Sequence, residues 1–198
     1  LVTGSFGTLG LLTEATFKVL PRPERSLTLL IKNLSDERAV SALSEALGSP
    51  FEPSAAAHLP AGLSRPIPRT ILRLEGFSVS LEYRIGRLRK LLAPYGELIV
   101  LEGEDSTGLW RAVRDCEFLA EPFDAALWRI STAPSRAPSM VAGIAASIAG
   151  ARWFYDWGGG LVWLSVPTAA DAASATIRTA VASAGGHATL VLSLIHIS

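Results

Sequence analysis

A glycine-rich stretch at the start of the chain has the residue types that can bind an anion through the backbone. Gly4, Gly7 and Gly10 are spaced three residues apart, and Ser5 and Thr8 lie among them. Glycine has no side chain to keep an anion away from backbone N–H groups, and it readily adopts positive φ angles. Successive N–H groups can then form a concave anion site. The spacing alone predicts either such a site or a simple tight turn.

The residues around these glycines differ from the common nucleotide-binding motifs. A Rossmann loop lies between a strand and a following helix, and a P-loop needs a lysine followed by Ser or Thr. Here the loop contains no lysine, and alternating polar and apolar residues predict a strand over residues 12–19. Pro21 and Pro23 end that strand.

Residues 4–23 closely resemble the end of the FAD-binding domain of the vanillyl-alcohol-oxidase (PCMH) type of flavoproteins. In that family the corresponding stretch contacts the dinucleotide largely through its backbone. Phe6 departs from the pattern, because many members have glutamate there. The resemblance implies FAD as the cofactor, with contacts from Gly4, Ser5, Gly7, Thr8, Leu9, Gly10, Leu11 and Leu12.

Composition excludes several other classes of protein. The 198 residues include 18 basic and 18 acidic side chains, so the clustered basic excess of a nucleic-acid-binding protein is missing. Cys116 is the single cysteine, which excludes an internal disulfide or a cysteine cluster for zinc or iron–sulfur. No stretch reaches about 18 consecutive apolar residues, so no transmembrane segment is expected. No His-x-His pair or carboxylate cluster indicates a metal site.

Hydrophobic periodicity predicts the order βαββαβ, a linking helix, and βαββαβ again. The two units span about residues 26–101 and 123–191, and each has the order of a ferredoxin-like unit. Two such units can share one large antiparallel sheet with helices on one face, which is an α+β fold. Expected helix caps are Ser35, Ser78, and Thr168 with Asp171.

Three segments are expected along the chain. Residues 1–23 are interpreted as the C-terminal end of an FAD-binding domain, including its last strand. The rest of that domain is expected to lie upstream, so the chain is expected to be a fragment. Residues 24–191 are expected to form the cap, or substrate, domain of the flavoprotein family. Residues 192–198 resemble nothing in that family and are interpreted as foreign sequence.

Three segments of the second half resemble the FAD-binding E subunits of glycolate oxidases: residues 127–131, 156–164 and 185–189. The resemblance implies oxidation of glycolate, or of D-lactate, to the 2-oxo acid. It also implies two partners, a homologous FAD subunit and an iron–sulfur subunit. The implied location is the cytoplasm or, through partner subunits, the inner face of the cell membrane.

Arg129 is the candidate for binding the carboxylate of a 2-hydroxy acid, because a guanidinium can form two parallel hydrogen bonds with a carboxylate. It lies in an otherwise apolar strand, where a charge needs a partner or a ligand. Alternatively, Arg129 forms a structural ion pair or lies in a strand at the edge of the sheet. His187 and the weaker candidate His58 are either bases or structural histidines. Cys116 falls on the apolar stripe of a predicted helix and is interpreted as a small core residue.

A tandem ferredoxin-like module that binds a ligand or assembles subunits, without chemistry of its own, is the alternative function. Such a free-standing module would not need the string of residues 4–23. Some related 2-hydroxy-acid dehydrogenases bind a metal through histidines near the flavin, and this sequence shows no such pair. The sequence therefore leaves open whether this chain has its own substrate site.

Overall fold

One antiparallel sheet of eight strands runs through both halves of the chain in this computed structural model, which describes residues 2, 4–5, 7–19, 22–167 and 171–192. The strands are β1 Arg25–Lys32, β2 Ala55–Leu59, β3 Arg69–Gly76, β4 Ile99–Leu101, β5 Ala126–Ser131, β6 Arg152–Asp156, β7 Leu161–Val166 and β8 His187–Leu192. The α-helices are α1 Asp36–Leu47, α2 Ser78–Leu92, α3 Gly103–Arg114, α4 Ala137–Ser147 and α5 Ser174–Ser183.

The strand order β4-β1-β3-β2-β6-β7-β5-β8 contains the same arrangement twice. Each half has the chain order βαββαβ, and α3 links the two halves. They meet where β2 lies antiparallel to β6, with His58 opposite Tyr155. The predicted α+β class, with two ferredoxin-like units sharing one sheet, is confirmed. We call the β2–β6 junction the seam.

The two faces of the sheet are covered differently. Leu27, Leu29 and Ile31 of β1 pack with α1 and α2, and α4 and α5 cover the same face in the second half. Leu30 points the other way and packs with Trp110 of α3. The linking helix therefore lies on the opposite face, a position that the prediction of helices on one face did not include. We call this second face, where it runs over β5, β7 and β8, the open face.

The predicted helix caps have mixed outcomes. Ser35 does cap α1, since its hydroxyl accepts from the backbone N–H of Arg38. The prediction for Ser78 is wrong: Ser78 is the first residue of α2, and Glu24 accepts hydrogen bonds from both its N–H and its hydroxyl. Thr168 lies outside the described residues. Asp171 accepts from the N–H of Ala173, before α5 begins, so its carboxylate is engaged in the preceding turn.

The strand predicted over residues 12–19 is absent from the structure. The described residues 7–19 are irregular and exposed, and the side chains of Leu11 and Phe17 are 89% and 79% exposed. A strand needs a neighbour to pair with its N–H and C=O groups, and no described strand lies beside this segment. At the other end, Leu192 completes β8, whereas residues 193–198 lie outside the described residues.

The turn after β6 packs tightly against α1 across the seam. Gly158 and Gly159 have φ angles of 65° and 98°, which glycine adopts without strain. A Cβ on Gly158 would lie 2.5 Å from Leu47, and one on Gly159 would lie 3.0 Å from Val40. These glycines therefore allow α1 of the first half to pack on the hairpin of the second.

Limited proteolysis should remove the segment before β1 first, because residues 7–19 are exposed and unpaired within the described structure. The link between β4 and β5 should resist, since α3 packs on the sheet through Trp110 and Val113. Mass spectrometry of early digests would identify the cleavage sites. Early cleavage between residues 101 and 123, with separation of the halves, would instead show two independent domains.

Candidate functional site

The glycine stretch leaves its backbone free to contact another molecule. Gly4, Gly7 and Gly10 have φ angles of 81°, 80° and 157°, and a Cβ at any of them would meet nothing within 4 Å. Thr8 donates its backbone N–H to the carbonyl of Ser5, closing a turn. Among the described residues the N–H groups of residues 9–12 make no backbone hydrogen bond. Phe6 lies outside the described residues.

Arg129 lies in the interior of the sheet and faces the open side. Its strand β5 lies between β7 and β8, so the edge-strand alternative is wrong. Trp163 and Thr189 are its cross-strand neighbours. Within the described part of the chain, the half-buried guanidinium forms no hydrogen bond or ion pair. The structural-pair alternative therefore has no partner there, and the charge remains available to a ligand.

His187 shares the open face with Arg129. It is exposed at the start of β8 and pairs with Ser131, two residues along β5 from Arg129. Gly186 makes this close approach possible, because a Cβ there would collide with the carbonyl oxygen of Ser131. The structure therefore brings two of the sequence candidates onto neighbouring positions of one surface.

A buried polar network at the seam was not anticipated from the sequence. Asp36, the first residue of α1, accepts from Nε2 of His58 at 3.2 Å and from the indole of Trp153 at 2.9 Å. It also accepts from the hydroxyl of Tyr155 at 2.7 Å. Nδ1 of His58 bonds Thr70 at 2.9 Å. These five residues, which we call the seam network, connect the first half to the second.

The hydrogen bonds of the seam network indicate which of its side chains is ionised. Burial by itself raises the pKa of Asp36, but hydrogen bonds from His58, Trp153 and Tyr155 outweigh burial and hold that pKa below its ordinary value. Burial, followed by the charge of Asp36, raises the pKa of Tyr155. Asp36 is therefore the ionised acceptor at neutral pH, and Tyr155 is a donor. Since His58 and Tyr155 are fully buried, we interpret the network as structural.

A cavity of about 560 Å³ lies between α3 and the turn after β6. Its lining combines small, aromatic and charged residues: Leu47, Ser54, Ala55, Ala56, Arg73, Thr107, Trp110, Arg111, Val113, Arg114, Asp156 and Trp157. Burial raises the pKa of Asp156, although its carboxylate accepts from the backbone N–H of Trp157 at 2.7 Å. The cavity volume is typical of small-molecule sites.

Cys116 is not an activated nucleophile. It lies just beyond the end of α3, half-buried against the core under that helix. Burial, with smaller contributions from the charges of Asp156 and Asp115, raises the pKa of its thiol to about 12. Since the thiolate is the reactive form, the packing interpretation of this residue stands.

The described residues contain no group of three His, Cys, Asp or Glu side chains that could hold a metal ion. Within the same residues, no helix has both the length and the apolar character required to span a membrane.

Comparisons with known proteins find one curated relative and a shared fold. The glycolate oxidase subunit GlcE of Escherichia coli (strain K12) is 35% identical over 190 residues, which cover 96% of this chain and 45% of GlcE. The chain therefore spans less than half the length of that relative. Two structures of alkyldihydroxyacetonephosphate synthase share the fold, with TM-scores of 0.60 and 0.62 at 15% identity. Each match covers 93% of this chain and 44% of the synthase. No family model matches.

Proposed function

Because this chain belongs to the family of the glycolate oxidase subunit GlcE, we propose that it is part of an FAD-binding subunit that oxidises glycolate, or D-lactate, to the 2-oxo acid. The observation that carries the proposal is the 35% identity to GlcE across 96% of the chain. The proposed partners are a homologous FAD subunit and an iron–sulfur subunit that takes the electrons. The proposed location is the cytoplasm or, through those partners, the inner face of the cell membrane.

The glycine stretch fits the proposed cofactor. Gly4, Gly7 and Gly10 leave open space beside the backbone. Among the described residues the N–H groups of residues 9–12 have no backbone acceptor, so they could donate hydrogen bonds to a pyrophosphate. Residues 4–12 would thus hold FAD through the backbone. Bound FAD would supply the two-electron oxidising chemistry.

Arg129 is proposed to bind the substrate carboxylate. Its guanidinium is unpaired among the described residues and lies on the open face beside the half-buried Trp163. Arg129 is itself half-buried, and a charge interaction strengthens where water is partly excluded. Two parallel hydrogen bonds from the guanidinium would orient the acid. His187 lies on the same face, exposed at the start of β8.

Flavin content tests the proposal. We expect the present chain alone to bind far less than one FAD per molecule, because only the exposed glycine stretch contacts the cofactor. A version extended to the length of GlcE should retain FAD, and glycolate should bleach its visible absorbance under anaerobic conditions. Absorption spectra of the two purified proteins measure both expectations.

Each contrary result has a distinct meaning. A stoichiometric flavin band in the present chain would contradict the expectation of weak binding. An extended protein that folds but carries no flavin would favour the alternative, a tandem ferredoxin-like module that binds a ligand or assembles subunits. Retained flavin that D-lactate reduces and glycolate does not would change the proposed substrate.

A further inference from the structure

We propose that the cavity between α3 and the turn after β6 binds a small molecule that carries an aromatic ring and an anionic group. The proposal does not rest on the function proposed above, because neither the glycine stretch nor Arg129 lines this cavity. It rests on the charge of the lining, on the position of one tryptophan and on the volume.

Three arginines, Arg73, Arg111 and Arg114, line the cavity, against one carboxylate, Asp156. Arg73 is held by Glu75 at 2.9 Å and by Ser26 at 3.1 Å, and Arg114 is held by its neighbour Asp115 at 2.7 Å.

Arg111 is the most available of the three. Within the described residues its guanidinium has one ion pair, to Glu104 at 3.5 Å, whereas Arg73 and Arg114 are each held by two shorter hydrogen bonds or ion pairs. A guanidinium has five N–H donors, so most of those on Arg111 remain free. We therefore assign Arg111 as the main ligand of the anionic group.

Trp157 is held at the cavity in an unfavourable backbone conformation. Its φ angle is 50°, which is uncommon for a bulky residue and strained. The residue is nevertheless 68% exposed, so burial does not offset that strain. The carboxylate of Asp156 and the tightly packed Gly158 and Gly159 hold the turn. The fold thus keeps an indole ring available for stacking on a flat ligand.

The volume of the cavity is much larger than a two-carbon acid would need, so a bulkier ligand is expected. Glycolate has the bulk of roughly three water molecules, about 90 Å³ at about 30 Å³ each. The cavity of about 560 Å³ is several times larger. The buried Trp110 supplies an apolar wall, and its indole N–H is already bonded to Thr28. An aryl carboxylate or an aryl phosphate would fill this space and pair with Arg111.

Calorimetric titration of the full chain tests the proposal with phenylacetate, phenyl phosphate, glycolate and benzyl alcohol as probes. At least one aromatic anion should bind saturably and about tenfold or more tighter than glycolate or benzyl alcohol, because only such a ligand combines a charge-assisted hydrogen bond with aromatic stacking. The tighter of the two anions identifies the carboxylate or the phosphate as the preferred group. If neither binds, or if glycolate binds equally well, the proposal is wrong.

Two variants and a matched control localise the binding. Arg111→Gln should weaken the aromatic anion about tenfold, and Trp157→Asn should weaken it several-fold, because asparagine tolerates the left-handed backbone but cannot stack. Arg89→Gln, an exposed arginine of α2 away from the cavity, should leave affinity unchanged. Equal losses in Arg111→Gln and Arg89→Gln would show general charge attraction and overturn the proposal. Melting curves should confirm that all three variants fold.

Discussion

Asp36→Ala should lower the free energy of unfolding by about 3–5 kcal/mol, because it leaves several buried donors without an acceptor. The indole of Trp153 and the hydroxyl of Tyr155 both donate to this carboxylate from the other half of the chain, and His58 contacts it from within the same half. Urea denaturation monitored by circular dichroism measures the loss. The variant should also be more easily cleaved between the halves, since the network crosses the seam.

Glu37→Ala is the matched control. Glu37 carries the same charge in the same first turn of α1, but its side chain is exposed. Glu37→Ala should lower the free energy of unfolding by no more than the contribution of the helix dipole, about 0.3–1 kcal/mol. Similar losses in the two variants would show that Asp36 acts through the helix end and not through the seam network.

The stabilisation by Asp36 should also depend on pH in a defined direction. Its pKa in the folded protein lies below the ordinary value of 3.8. The unfolded state therefore takes up a proton first as the pH falls. The contribution is complete above pH 3.8 and is lost as the pH falls through the lower folded pKa. The difference in unfolding free energy between wild type and Asp36→Ala should stay constant well above pH 3.8 and shrink as the pH falls below that value. A difference that stays constant into this acid range would contradict the assigned charge.

Arg129→Lys in the protein extended to the length of GlcE, within the proposed complex, should reduce kcat/KM for glycolate about 10- to 100-fold. A point charge cannot reproduce two parallel hydrogen bonds from a guanidinium, and a hydrogen bond to a charged group is worth about 1.5–3 kcal/mol. Flavin content and Tm should hardly change, because the guanidinium has no partner among the described residues that the substitution would remove. Steady-state kinetics per bound flavin measure the effect.

Arg152→Lys provides the contrasting control. The guanidinium of Arg152 donates to the carbonyls of Glu121 and Phe118 and so holds the segment before β5. This variant should lower Tm and leave the kinetics per flavin unchanged. If Arg129→Lys instead lowers Tm and leaves the kinetics per flavin unchanged, Arg129 is structural, and the substrate site would be assigned to the proposed homologous FAD subunit.

Local patterns in the sequence determined much of the architecture. Ser35 correctly marked the start of α1. The order of elements was sufficient to predict two ferredoxin-like units in one antiparallel sheet. The motif of residues 4–23 pointed to the flavoprotein family in which GlcE is found. All of these features depend on residues close together in the chain, where periods of 2 and 3.6 are readable.

The tertiary structure alone decided which distant residues meet. Asp36 contacts Trp153 and Tyr155, which are 117 and 119 residues away, and no local pattern encodes such a pairing. Whether Arg129 has a partner also depends on which residues of β7 and β8 lie beside it in the sheet. The strand predicted over residues 12–19 failed for the same reason, because alternation indicates which side chains share a face but cannot supply a neighbouring strand. Periodicity determines the faces of an element, and long-range packing determines what those faces touch.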